Sequence, residues 1–96
     1  MSMEKYSIMT ANELADILGL KLENIVLYWP DKILQLKNIL IHALDTFNGN
    51  KTVVRYWLST SIAELNDQTP LQIMASTYDF SLIDNVLGRL DYGLPA

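Results

Sequence analysis

The chain has 96 residues, half of them apolar, with a formal net charge of −4 and no cysteine. That is enough apolar material for one modest core, and it excludes disulfides, cysteine-based zinc sites and thiol nucleophiles. The negative charge disfavours general attraction to nucleic acid or an anionic membrane. No apolar run approaches the roughly 18 residues of a membrane span, and Met1–Asp16 lacks a basic start followed by an uncharged apolar stretch, so a cytoplasmic protein is expected.

Glycines and prolines divide the chain into a string of helices, and no segment alternates with the period of a strand. The first helix starts at an N-cap, Thr10, with Glu13 as capping-box partner and Leu14, Ile17 and Leu18 on one face, and Gly19 ends it. A second runs from about Leu22 to Tyr28, stopped by Pro30, which disfavours helical geometry at Trp29. The longest is expected from an Asp31 cap to Phe47. Ile33, Leu36, Leu40, Leu44 and Phe47 form one stripe and Leu34, Ile39 and Ile41 a second, so this helix is central or pairs with a partner.

Asn50 caps a fourth helix with Val53, Val54, Trp57 and Leu58 on its apolar face, and the polar segment 59–68 reads as a loop. Thr69 as N-cap with Pro70 in first position starts the fifth, with Leu71, Met74 and Ala75 inward. The sixth runs from about Phe80 to Tyr92, carries Leu82, Ile83, Val86, Leu87 and Leu90 at helical spacing, and stops at Gly93. The expected fold is all-α, a compact bundle of about six short helices with a degenerate helix-turn-helix in its N-terminal half.

Enzymatic constellations are missing. The single histidine, His42, has no second ligand and reads as a packed or surface residue, and Asp79 and Asp84 read as a solvated face. No glycine pattern cradles a phosphate. A non-enzyme without cofactor or metal is expected. In the helix-turn-helix outline, Ala15 faces the crossing, Gly19 makes the turn, and the candidates for DNA contact on the second helix are Lys21, Asn24 and Tyr28, beside Glu23, which repels phosphate.

The second half carries a more specific pattern: Trp57-Leu58, Thr69-Pro70-Leu71, Thr77, and Val86, Leu87, Arg89, Leu90, Gly93 and Leu94 in order and spacing. It resembles the C-terminal toxin-binding domain of the Xre/MbcA/ParS antitoxin family, and with the upstream helices the likeness covers about residues 10–96. The chain departs from the family at Asn66, Asp67 and Gln68, and at Asp79 and Phe80, where glycines are usual, and it lacks the arginines of the family's second helix.

The resemblance implies an antitoxin that neutralises a RES-domain toxin, an NAD-degrading enzyme, by covering its active-site entrance with the C-terminal region. Residues 1–48 would then be the helix-turn-helix-like part with a long connecting and dimerisation helix, and 49–96 the toxin-binding region of a homodimer. The partner-binding candidates are Thr77, Arg89, Asp91, Tyr92, Gly93, Leu94, Pro95 and Ala96. Arg89 and Asp91 offer charge-paired contacts, Tyr92 an amphipathic anchor, and Leu94-Pro95-Ala96 a restricted tip whose carboxylate suits a cationic pyrophosphate pocket. The alternative is a DNA-binding repressor of helix-turn-helix type.

Overall fold

Two helix starts are written into the sequence in the same way, and both form. Thr10 accepts the Glu13 backbone N–H at 3.1 Å while Glu13 accepts the N–H of Thr10 at 3.2 Å. Thr69 and Gln72 repeat the exchange at 3.0 and 2.8 Å. Each box satisfies helix-end donors that would otherwise lack partners, worth about 1 kcal/mol.

The structure, a computed structural model, describes residues 9–93. Its helices are α1 (Ala11–Leu18), α2 (Leu22–Tyr28), α3 (Ile33–Thr46), α4 (Lys51–Leu58), α5 (Pro70–Ser76) and α6 (Phe80–Asp91), with a 3-10 turn at Ala63–Leu65. The fold is all-α. One start and one loop differ from expectation. Asp31 does not cap α3: it adopts a left-handed φ of 59° after Pro30, and Lys32 occupies the cap position with no side-chain bond. Segment 59–68 is more than a loop, because Ile62 pairs with Gln68 in an antiparallel bridge and Ile62 and Leu65 are buried.

Helix α3 is central. It packs on α6 and α4, while α1 packs on α4 and α2, and α5 on α6 and α4. Leu36, Leu40 and Leu44 are fully buried along one stripe, and Ile39 and Ile41 extend the burial round the helix. Each such side chain contributes about 1.5–3 kcal/mol. Leu34 and Val53 are exposed instead, because the elements that meet α3 and α4 lie on other sides of those helices.

Two long-range polar contacts fix the helix ends. The fully buried Trp29 donates its indole N–H to the Met74 carbonyl at 3.0 Å, tying the end of α2 to α5. Arg55 of α4 covers the end of α1, donating to the Asp16 and Ile17 carbonyls. Gly19, at φ 70°, turns the chain there, and a Cβ on it would meet Arg55 Nε at 3.3 Å.

Candidate functional site

Helix α6 begins where Asp79 accepts the Leu82 N–H at 3.1 Å, and it buries Ile83, Val86 and Leu87 against the core. Its last turn is held from two sides. Arg89 forms an ion pair with Glu64 of the 3-10 turn. On the other side, Asp84 and Asp91, seven residues apart and so on one face, reach His42 of α3.

His42 stands between them, its Nδ1 2.6 Å from Asp84 Oδ1 and its Nε2 2.6 Å from Asp91 Oδ2. The other oxygen of Asp91 accepts the Thr46 hydroxyl at 2.5 Å. Burial by itself would lower the His42 pKa, but the hydrogen bonds and charges of Asp84 and Asp91 outweigh it and raise the imidazole above its usual 6.5. Burial would raise Asp91, and the bonds from Thr46 and His42 outweigh that too, holding its carboxyl below the ordinary 3.8.

Past this anchorage the chain turns outward. Tyr92, the cap of α6, is 86% exposed, and Gly93 takes a left-handed φ of 74°. The arrangement offers a rigid helix end bearing an aromatic side chain. Among the described residues no group of side chains is placed to hold a metal ion.

The sequence model of the antitoxin Xre/MbcA/ParS C-terminal toxin-binding domain matches residues 42–93, more than half of the chain. The chain belongs to the Xre/MbcA/ParS antitoxin family. Comparison with curated proteins and comparison with solved structures gave no match. The toxin-binding domain so defined contains His42, Thr46, Asp84 and Asp91, so the whole anchorage of the α6 end lies inside it.

Within the toxin-binding domain the structure gathers Arg89, Asp91, Tyr92 and Gly93 at one end of α6. Thr77 lies at the other end, about 18 Å away along a helix of this length, where its hydroxyl donates to the Ile73 carbonyl at 2.9 Å. Leu94, Pro95 and Ala96 lie outside the described residues. Both oxygens of Asp91 are engaged within the chain, and Arg89 is paired, so these two brace the helix end from which Tyr92 projects.

The antitoxin's N-terminal half places the DNA-contact candidates differently. Lys21 is exposed at the start of α2, Asn24 is half-buried, and Tyr28 is exposed beside Trp29 in an edge-to-face contact. The outward face of α2 is apolar, with Leu22, Val26 and Leu27 at 41, 58 and 70% exposure. Phosphate contact needs basic or hydrogen-bonding side chains along such a face. Beyond α2, Tyr78 holds a left-handed φ of 56°, fixed by its hydroxyl on the Tyr28 carbonyl at 3.0 Å and by Lys32 Nζ 5.0 Å over its ring.

His42 is the residue that sequence reasoning missed. A histidine alone in a helix gives no signal. The available clue was the seven-residue spacing of Asp84 and Asp91, which becomes meaningful once α3 and α6 are known to pack together.

Proposed function

We propose that this antitoxin binds and neutralises a RES-domain toxin, an NAD-degrading enzyme, by laying the C-terminal end of α6 and the residues after it over the toxin's active-site entrance. The observation that carries the reading is Tyr92, exposed at the end of a helix whose last turn is braced by Asp91 and Arg89, inside the matched toxin-binding domain. An aromatic ring on a rigid turn loses little conformational entropy on binding and buries a large area, the character of an interface anchor.

In this account Tyr92 is the anchor, Gly93 redirects the chain, and Leu94, Pro95 and Ala96 enter the entrance, with Thr77, at the other end of α6, as a separate contact. The antitoxin acts by occlusion, without a cofactor, in the cytoplasm. Co-expression with a RES-domain toxin tests it: Tyr92→Ala or deletion of residues 94–96 abolishes co-purification and protection of cellular NAD. Retention of both by both variants refutes the reading.

The apolar outer face of α2, with Leu34 exposed at the start of α3, favours self-association as a homodimer over a repressor that reads DNA through Lys21, Asn24 and Tyr28. Leu27→Asp shifts the sedimenting species from dimer to monomer in this reading. A salt-sensitive shift of promoter DNA that is lost on Lys21→Ala supports the repressor instead.

A further inference from the structure

The two contacts of His42 define its protonation state. An ionised carboxylate only accepts hydrogen bonds, and each ring nitrogen lies 2.6 Å from a carboxylate oxygen, Asp84 on one side and Asp91 on the other. For both contacts to be hydrogen bonds, both nitrogens carry protons. The ring is then an imidazolium, making two charge-assisted bonds of the stronger class.

What the cation holds is unusual for a helix end. Asp91 is the last residue of α6, where the negative end of the helix dipole disfavours a carboxylate. Thr46 and His42 are what keep it docked on α3. When His42 loses a proton, one N–H remains for two carboxylates, and the other faces a nitrogen lone pair. The positive charge that offsets the dipole at Asp91 is then gone, the Thr46 hydroxyl is the fixed donor that remains to it, and Tyr92 follows it directly in the chain.

We propose that His42 is the positioning residue of the toxin-binding surface, its imidazolium fixing the end of α6 so that toxin affinity follows its protonation. The inference rests on the toxin-binding reading above. Among the described residues no other charge competes for the ring. Arg89 of α6 pairs with Glu64, Arg55 of α4 with Asp16, Asp79 caps the far end of α6, and α5 has no titratable side chain. Lys37 and Asp45 of α3 and Lys51 of α4 form no ion pair with it.

The test combines a readout free of toxin with one that needs it. Ring nitrogen NMR of the intact protein reports two protonated nitrogens at pH 6–7 and a titration above the ordinary histidine range, while the amides of residues 90–93 lose hydrogen-exchange protection in step, after correction for intrinsic rates. Calorimetric titration with a purified RES-domain toxin over pH 6–9 gives an affinity that falls about tenfold through that titration, the scale of a lost charge-assisted bond. His42→Gln, checked for unchanged far-ultraviolet dichroism, binds about tenfold more weakly at pH 6.5 and shows a flatter profile, which separates His42 from any group titrating on the toxin.

A neutral ring at pH 6–7 overturns the inference, as does a His42→Gln protein with wild-type affinity and pH profile, while the toxin reading stands in both cases. A wild-type protein that binds no RES-domain toxin, yet shows the doubly protonated ring, overturns the toxin reading and the affinity consequence together.

Discussion

Replacing Trp29 by phenylalanine probes the tie between the two halves of the core. The indole is fully buried, and its N–H supplies the hydrogen bond to the Met74 carbonyl, one of the acceptors left open at the end of α5. Phenylalanine keeps an aromatic ring but removes the donor, leaving a buried carbonyl unsatisfied at a cost of about 1–3 kcal/mol. The smaller ring also leaves a void of roughly 40 Å³, worth about 1 kcal/mol at about 24 cal/mol per Å³. Together the loss is roughly 2–4 kcal/mol, and at about 4–8 °C per kcal/mol for a domain of this size the melting temperature falls by roughly 8–32 °C. Trp57 provides the internal comparison. It is half-buried, its ring meets Phe47 at 5.9 Å, and among the described residues its indole N–H has no protein partner. Trp57→Phe therefore costs about 1 kcal/mol or less. Thermal and urea melts of both variants decide the matter, and the reasoning fails if Trp29→Phe melts within about 3 °C of wild type or if Trp57→Phe is the costlier change.

Stability depends on pH through the contact between α3 and α6. The His42 pKa is raised, so its contribution is complete below the unfolded value of 6.5 and is lost as pH rises through the folded value above it; the Asp91 pKa is lowered, so its contribution is present above 3.8 and is lost as pH falls through the folded value. Urea melts across pH then give a plateau between these limits that falls at both ends, and the alkaline fall is absent in His42→Gln. Gly19→Ala forces an alanine into a left-handed φ of 70° against the Arg55 side chain. It destabilises by about 1–2 kcal/mol, which a urea midpoint measures.

The helix boundaries were legible because their causes are local. Thr10 with Glu13, Thr69 with Pro70, and Gly19 and Gly93 specify starts and stops through neighbours within a turn, and those ends form as expected. Asp31 is the exception. In the turn after Pro30 the left-handed conformation, which aspartate tolerates, prevailed over its capping tendency. Periodicity also located two apolar stripes on α3 without telling which members of each meet the core: Ile39 and Ile41 of the second stripe are buried, and Leu34 of the same stripe is exposed.

The candidate site was legible in part for a related reason. Tyr92 and Gly93 follow a recognisable helix stop, and the motif around them carries the family. The partners of His42 lie 42 and 49 residues away. No local pattern encodes that meeting, which exists only because the apolar faces of α3 and α6 pack and thereby align the polar residues at their edge. The same packing explains why Asp91, read from sequence with Arg89 as a charge-paired contact for a partner, has both its oxygens bonded within the chain.

Inhibition measured directly tests the account most sharply. A purified RES-domain toxin is assayed for NAD consumption while the antitoxin is titrated in, with Tyr56→Ala as control because Tyr56 is also exposed, at 73%, but lies on α4 away from the helix end. Wild type and Tyr56→Ala inhibit alike, whereas Tyr92→Ala needs at least about tenfold more protein, the loss of a hot-spot anchor. Equal inhibition by all three proteins contradicts the claim that the end of α6 is the toxin-binding surface.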